Sequence, residues 1–187
     1  MLTEDYLMRM ISQALAALMT AIGLRKAGKY SQALQAIEQA VEQLTTLPAS
    51  LIDQLDDASI LSMLTTQDQL DTGRLAILAD LYQESGEILS NMNRPAQADA
   101  SFARALRLHL EVGLANADDL TVENIGKIES LYLRLKDRAL PVDTLLALSD
   151  YYQRLLSLDE QTLTKVGIDR KYVNEALAKL DQKLGSS

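Results

Sequence analysis

Apolar residues recur at steps of three and four along most of this chain, and that spacing is typical of helices with one buried face. Near the N-terminus, Met10, Ala14, Leu18 and Ala21 follow this pattern. Leu and Ala dominate the composition, and both residues favour helix. The 3 Pro and 8 Gly are too few for the many tight turns of an all-β fold. The sequence therefore predicts an all-α protein.

Turn and capping residues divide the chain into ten predicted helices. Gly28 is expected to end the first helix, and Gly86, inside the fifth, indicates a close helix crossing. Pro residues stand at three of the expected starts, where the missing N–H costs nothing. The segments are about 4–27, 31–46, a short one from Pro48, 58–66, 73–92, from Pro95, 121–135, from Pro141, 159–166 and 169–184.

The net charge of −8 is unevenly distributed. No Lys or Arg lies between Tyr30 and Gly73, where seven Asp and Glu residues occur. Such a surface repels phosphate backbones, so nucleic acid is not an expected partner. One basic cluster, Arg134, Lys136 and Arg138, is interpreted as a solvated helix end, where cations favour the helix dipole.

The absence of cysteine excludes disulfides and thiolate sites, and it fits a reducing cytoplasm. No signal peptide is expected, because Glu4 and Asp5 occupy the place of a basic n-region. The longest apolar run, residues 11–24, is shorter than the roughly 20 residues that span a bilayer. It is interpreted as a buried helix, so the sequence predicts a cytoplasmic protein with no membrane contact.

Two stretches of the chain share an unusual spacing of small and large residues. They agree in the interval from Ala to a large apolar residue to Ala, which is Ala33, Ile37, Ala40 in the first and Ala98, Phe102, Ala105 in the second. Gly28 and Tyr30 precede the first set, and Tyr82, Gly86 and Leu89 precede the second. Both resemble the tetratricopeptide repeat (TPR), although the interval from Ala33 to Ala98 is 65 residues rather than twice about 34. The arrangement is also similar to uncharacterised bacterial families catalogued as domains of unknown function.

The resemblance implies a right-handed α-α superhelix of TPR-like antiparallel helix pairs with a short-helix insertion. The pairs would span about 4–46 and 72–114, the insertion 47–71, and further helices 121–184. The whole chain, 1–187, would form a single domain.

TPR proteins bind proteins or peptides in a groove lined by the first helix of each pair. By this resemblance the partner-binding residues would be Leu15, Leu18, Ile22, Arg25, Asp80, Gln83, Glu87 and Ser90. The basic clamp for a C-terminal carboxylate is missing from these positions, so a basic amphipathic helix or another copy of the chain is the expected partner. The alternative interpretation is that Leu15, Leu18 and Ile22 are core residues.

No catalytic, metal-binding or cofactor-binding motif is recognisable in the sequence. The only histidine, His109, is expected to be partly exposed on a helix. The acid pairs Asp56-Asp57 and Asp118-Asp119 are explained as helix caps. Tyr151 and Tyr152 are expected to point one inward and one outward. The methionines of the first helix, Met8, Met10 and Met19, are interpreted as core that fills gaps, and the alternative is an adaptable binding surface.

These observations predict a non-enzymatic protein- or peptide-binding module without cofactors or metals, and they leave a homo-oligomer open. The alternative is a small-molecule or peptide-sensing regulator with a pocket between helices. That pocket would need inward-facing polar groups such as Tyr82, Gln83, Tyr132 and Tyr152. A hydrolase that uses a pair of carboxylates is the third hypothesis, and it would require buried paired acids with raised pKa values.

Overall fold

The fold is all-α, as the periodicity predicts. The structure is a computed structural model, and it describes residues 4–116 and 120–185. Within these residues, ten helices and one two-stranded antiparallel hairpin follow in chain order. They are α1 Glu4–Lys26, α2 Tyr30–Thr45, α3 Ala49–Ile52, α4 Asp57–Met63, β1 Thr65–Thr66, β2 Gln69–Leu70, α5 Thr72–Asn91, α6 Pro95–Ala115, α7 Val122–Leu135, α8 Val142–Leu156, α9 Glu160–Lys165 and α10 Arg170–Gly185.

Several predicted helix ends are confirmed. Gly28 follows α1 with φ +74°, a conformation that favours glycine. The side chains of Asp71 and Thr121 accept hydrogen bonds from the first turns of α5 and α7. Two predicted caps, Thr3 and the pair Asp118-Asp119, lie outside the described residues.

Other boundaries differ from the prediction. Helix α2 begins at Tyr30, one residue before the predicted cap Ser31. The cap of α4 is Asp56, whose carboxylate accepts from the backbone N–H of Ser59, rather than Asp57. Pro48 and Pro141 immediately precede α3 and α8 instead of forming their first residues. These four differences are shifts of one or two residues, which is the usual uncertainty of helix ends.

The prediction that residues 65 and 66 are helical is wrong. Thr65 pairs with Leu70 and Thr66 with Gln69 in the small hairpin. β-Branched Thr favours extended backbone. Gln67 and Asp68 form the turn with φ of +51° and +60°, the left-handed pair that tight hairpins require.

The chain divides into two compact units, Met1–Leu108 and His109–Ser187, and the division falls within α6. The single domain inferred from the sequence stays a prediction, because one domain can contain two such units. In the first unit, α1 and α2 pack against each other and both pack against α5. Its buried residues include Ala14, Ala33, Leu44, Ile52 and Leu78.

The close crossing predicted at Gly86 is confirmed. A Cβ atom added at Gly86 would lie 2.5 Å from Cε1 of Phe102, so the aromatic ring of α6 rests directly on the backbone of α5. Both residues are buried. Only glycine allows this approach, which explains why α5 accepts a residue that weakens helices.

Arg104 of α6 fastens the segment that contains α3 and α4. Its Nη2 donates to the carbonyl oxygen of Leu55 at 2.6 Å, and its Nε lies 3.1 Å from a carboxylate oxygen of Asp57. Its guanidinium also lies 5.2 Å from the centre of the Tyr82 ring, within cation–π range. The hydroxyl of Tyr82 donates to Asp53 at 3.0 Å. This segment is therefore tied to α5 and α6 by polar contacts.

Helix α1 is buried on one side only, which corrects its interpretation as a buried helix. Met10 is buried, whereas Met8 is 58% and Met19 is 62% exposed, so the assignment of all three methionines to the core is wrong. One helix, Asp5–Lys26, is long and apolar enough to cross a membrane by length and composition, and 22% of its most apolar window is buried. Two other kinds of helix pass the same test, namely core helices, which are mostly buried, and signal sequences near an N-terminus.

Candidate ligand-binding cleft

The second unit contains a cleft of about 910 Å³ between the end of α7, the loop that follows it, and α10. This volume lies in the range of small-molecule and short-peptide sites. The residues that line it are Tyr132, Leu133, Lys136, Asp137, Arg138, Ala139, Leu140, Leu145, Tyr172, Glu175, Ala176, Lys179, Gln182 and Lys183.

The inner surface of the cleft is apolar. Leu145 and Ala176 are buried side chains of α8 and α10. Leu133, at 63% exposure, presents an apolar side chain at the surface of α7. Because helical periodicity would normally leave a polar residue at such a position, Leu133 offers an apolar contact to a ligand.

The rim of the cleft carries four cations, Lys136, Arg138, Lys179 and Lys183, against two carboxylates, Asp137 and Glu175. This local excess of positive charge occurs in a chain whose net charge is −8. A cleft whose rim has a net positive charge concentrates negatively charged ligands. The cleft is therefore suited to an anion.

The contacts of the rim leave part of this charge available. The Nζ of Lys183 donates to the carbonyl oxygen of Lys136 at 2.9 Å, which closes the end of α7 with a cation from α10. Glu175 lies 3.9 Å from Lys171, outside the cleft. Within residues 4–116 and 120–185, neither Lys136 nor Lys179 forms an ion pair.

A cluster of tyrosines stands behind the cleft, with the carboxylate of Glu129 at its centre. Tyr151 donates its hydroxyl to Glu129 at 2.9 Å, Tyr152 at 3.3 Å and Tyr172 at 2.6 Å. The ring of Tyr132 meets that of Tyr152 edge to face, with centroids 6.0 Å apart. Because these residues lie on α7, α8 and α10, the cluster fixes α10, which forms one wall of the cleft.

Burial and the neighbouring carboxylate keep these tyrosines protonated. Desolvation raises the pKa of Tyr151 and of Tyr152 far above the ordinary value, and Glu129 adds to both shifts. For the more exposed Tyr172, burial and the hydrogen bond to Glu129 raise the pKa to about 12. A tyrosine held neutral in this way is a hydrogen-bond donor rather than a general base at neutral pH.

Tyr151 and Tyr152 are both fully buried, so the prediction that one ring points outward is wrong. The Glu129 carboxylate supplies the hydroxyl partner that allows adjacent tyrosines to be buried together. His109 is also buried, with 1% exposure, rather than partly exposed as the sequence suggested. Apolar neighbours in the sequence, Leu108 and Leu110, are fully buried on either side of it.

The structure places the predicted partner-binding residues of α1 in different environments. Leu18 is buried, Leu15 is 47% exposed, and Ile22 is partly buried. Arg25 is partly buried and donates from Nε to a carboxylate oxygen of Glu84 at 2.5 Å. The hydrogen bond to Glu84 is the main cause that raises the pKa of Arg25. Arg25 is therefore held against α5.

On α5, the predicted residues Asp80, Gln83 and Glu87 are partly buried, and Ser90 is exposed. The charge of Glu87 also acts on Arg25. The structure thus brings Arg25 together with Glu84 and Glu87, and Glu84 was not among the residues named from the sequence. Clefts of about 910, 420 and 270 Å³ are all lined by other residues, so the predicted groove stays a prediction.

The residues proposed for an alternative pocket are also separated. Tyr132 lines the cleft of the second unit, and Tyr152 lies behind it in the tyrosine cluster. Tyr82 lines a smaller cleft of about 420 Å³ in the first unit. Sequence reasoning missed Tyr172, Lys179 and Lys183. Their positions on one α10 stretch, at spacings of seven and four residues, were the signal that could have found them.

In the part of the chain that the structure describes, no group of three or more His, Asp or Glu side chains could hold a metal ion. The cleft combines apolar walls, neutral hydroxyl groups and cations at its mouth. These are the components of a site for a molecule with an apolar body and a negative head.

The fold and the cleft thus define an all-α protein with a cation-rimmed cleft. The chain belongs to a family of unknown function, DUF6483, whose model matches residues 1–185. No curated protein and no solved structure matches the chain.

Proposed function

We propose that this is a non-enzymatic binding protein, and that its cleft in the second unit takes a short acidic segment of a partner protein. The observation that supports this proposal is the rim of four cations around an apolar floor in an otherwise acidic chain. An acidic peptide would place its carboxylates near Lys136 and Lys179 and an apolar side chain against Leu133 and Leu145. The partner expected from the sequence was instead a basic amphipathic helix, or another copy of the chain, in a groove on α1 and α5.

The proposal is tested by titrating short peptides of Asp, Glu, Leu and Phe into the protein by calorimetry, with basic peptides of the same apolar content as a comparison. The variant Lys136→Glu/Lys179→Glu should bind the acidic peptides at least about tenfold more weakly, since two attractive contacts become repulsive. Lys165→Glu/Lys29→Glu changes the net charge equally at two exposed positions outside the cleft. That control should bind as the wild type does.

Equal weakening in both double variants would mean that only the overall charge matters, and the cleft would lose its role. A preference for the basic peptides would reject the proposal and restore the groove on α1 and α5.

A second candidate is a small amphipathic anion, such as a fatty carboxylate, sensed in the same cleft. The volume of about 910 Å³ favours it, because that is the size of a small-molecule site. Dodecanoate is a suitable probe. Saturable binding of dodecanoate that Lys136→Glu/Lys179→Glu abolishes, without binding of any acidic peptide, would favour the sensor over the adaptor.

The TPR-like superhelix also belongs to the proposal. Ala33 and Ala98 are buried at the positions where the repeat requires small residues, and Gly86 receives Phe102. A crystal structure in which the pairs α1–α2 and α5–α6 follow one another with a right-handed twist would support it. We further propose a cytoplasmic location on the basis of the missing cysteines, and cell fractionation tests it.

A further inference from the structure

Helix α1 turns an uncharged and largely apolar face to solvent. Met8, Leu15 and Met19 are 58%, 47% and 62% exposed. The hydroxyl of Ser12 donates to the carbonyl oxygen four residues earlier at 2.8 Å, and that of Thr20 does the same at 3.0 Å. No charged residue occurs from residue 10 to residue 24. The face therefore offers a packing surface whose hydroxyl groups are already satisfied within the helix.

Helix geometry shows that the residues of this face point in similar directions. Because successive residues turn by about 100°, positions 5, 8, 12, 15, 16, 19, 23 and 26 all point within about 50° of a direction midway between Leu15 and Ala16. The opposite side of the helix carries Ala14 and Ala21, which are fully buried. These eight positions therefore form one continuous strip with a centre between residues 15 and 16, and the exposed residues Arg9, Gln13 and Thr20 lie along one flank of it.

This surface is complementary to itself when it is reversed. If a second α1 runs antiparallel with its two-fold axis at that centre, residue i faces residue 31 − i. Met8 then faces Gly23, and Leu15 faces Ala16, so each large side chain meets a small one. A Cβ atom added at Gly23 would meet nothing within 4 Å, so the space above this glycine is open to the methionine of a partner.

The charges at the two ends follow the same symmetry. Asp5 and Lys26 are both exposed and lie at equal distances from the centre, on the same face. In the antiparallel arrangement Asp5 of each copy faces Lys26 of the other, which gives two opposite-charge contacts. A parallel arrangement would place like charges together at both ends. Charge and size therefore select the same orientation.

We propose that a second copy of this chain docks on the exposed face of α1, antiparallel, with a two-fold axis between Leu15 and Ala16. Such an isologous contact uses one surface twice, which is the commonest symmetry of homo-oligomers. A single helix pair lies at the small end of protein interfaces, so the dimer forms in a concentration-dependent equilibrium. This inference uses α1 alone and does not depend on the cleft of the second unit.

A second copy fits this face better than a lipid surface. Helices that bind in the plane of a membrane carry Lys and Arg along their polar face and are attracted by anionic lipids. The exposed side of α1 carries Lys26 at one end, Asp5 at the other and Arg9 on one flank, which is few cations for a lipid-binding helix, and the chain has a net charge of −8. The buried side of α1 packs against α2 and α5 and is not available to lipid.

Sedimentation velocity of the full chain over a range of concentrations measures the dimer directly. Wild type should shift from monomer to dimer as its concentration rises. Gly23→Glu should stay monomeric up to a protein concentration at least about tenfold higher, because a charged side chain fills the space for Met8. Gly126→Glu is the matched control, since Gly126 is also an exposed helical glycine with nothing within 4 Å of its Cβ position. It should associate as the wild type does.

Cysteine cross-linking tests orientation and register, and the chain has no cysteine of its own. In Ser12→Cys/Met19→Cys the two thiols of one copy lie about 10 Å apart along α1, too far for a disulfide. Oxidation should therefore join two copies through residues 12 and 19. Each single variant should give little dimer, because equal positions also lie about 10 Å apart in the antiparallel pair.

A wild type that stays monomeric at every concentration would overturn the proposal, as would a dimer that Gly23→Glu leaves intact. Efficient cross-linking of the single variants would indicate a parallel pair and would also overturn it. Flotation of a monomeric wild type with phosphatidylcholine–phosphatidylserine vesicles would assign the face to lipid instead. Circular dichroism of each variant shows that a lost dimer is not a lost fold.

Discussion

At Gly86, the addition of a single methyl group is expected to cause a steric clash. In Gly86→Ala the added methyl group would overlap the ring of Phe102, whose Cε1 lies 2.5 Å from that position. We expect a loss of about 1–3 kcal/mol in the free energy of unfolding from overpacking, although alanine alone would favour the helix by about 1 kcal/mol. Urea denaturation measures the difference.

The exposed Gly126 of α7 is a matched control for this change. Nothing lies within 4 Å of its Cβ position, so Gly126→Ala should stabilise the protein by about 0.5–1 kcal/mol. If Gly86→Ala were also stabilising, the ring of Phe102 could not be a rigid part of the contact between α5 and α6.

Tyr82 should make stability depend on alkaline pH. Burial, and next the charge of Asp53, raise its pKa from 10.0 to about 12 in the folded protein. The contribution of Tyr82 to the free energy of unfolding is fully present below pH 10 and is lost as pH rises towards 12. The reason is that the folded state binds more protons than the unfolded state in this range. This shift in pKa corresponds to a total loss of about 3 kcal/mol in the free energy of unfolding once the pH exceeds both pKa values.

The check is urea denaturation at pH 8, 10 and 11.5 for wild type and Tyr82→Phe. The variant should be less stable than wild type by about 1 kcal/mol at pH 8, since the bond to Asp53 is lost, and the gap should narrow or reverse at pH 11.5. A constant gap across this range would show that Tyr82 titrates normally. The difference between the two proteins cancels the contribution of the other tyrosines.

At the scale of elements, Glu129 determines how firmly α10 is attached. Three tyrosine hydroxyls donate to its carboxylate, and Tyr172 is the one that belongs to α10. In Glu129→Gln the charge is lost while the shape is kept, so we expect a loss of about 2–3 kcal/mol. Amide hydrogen exchange should accelerate in α10 more than in α1.

Glu123→Gln, on the same helix, is the control for this prediction. Glu123 is exposed and forms only a surface pair with Lys127 at 3.0 Å, so its change should cost less than about 1 kcal/mol. Equal effects of the two variants would contradict the central role of Glu129.

The elements themselves were predictable because their signals are local. Helical periodicity, the cap at Asp71 and the glycine at position 28 each depend on a few neighbouring residues, and the structure confirms them. The hairpin at residues 65–70 was not predicted, because two residues per strand are too few to show an alternating pattern. The burial of Tyr151 beside Tyr152 was missed because it depends on Glu129, 22 residues away.

At the scale of the whole molecule, the net charge of −8 works against the compact state. Raising NaCl from about 20 mM to about 200 mM shortens the screening length several-fold, so the melting temperature should rise by about 1–3 °C. Glu38→Gln/Asp68→Asn removes two exposed acids from the segment without cations, and it should reduce this salt effect. Circular dichroism at each salt concentration measures both proteins, and a melting temperature that falls with salt would contradict the prediction.

The cleft could be predicted from the sequence only in part. The basic cluster Lys136 and Arg138 was visible, but its interpretation as a solvated helix end was local. Lys183 meets Lys136 across 47 residues of sequence, and only the docking of α10 brings them together. A charged site assembled from distant helices gives no local pattern in the sequence. The exposed face of α1, in contrast, comes from one continuous segment.

The distribution of aromatic side chains has a consequence for spectroscopy. The chain has no Trp and 7 Tyr, and four of these tyrosines form the cluster around Glu129. More than half of the tyrosine absorption in the near ultraviolet therefore belongs to the second unit, where the hydroxyls of Tyr151, Tyr152 and Tyr172 donate to the carboxylate of Glu129. Because Tyr132 and Tyr172 also line the cleft, a molecule that enters it changes this emission, and the protein can be titrated without any dye or tag.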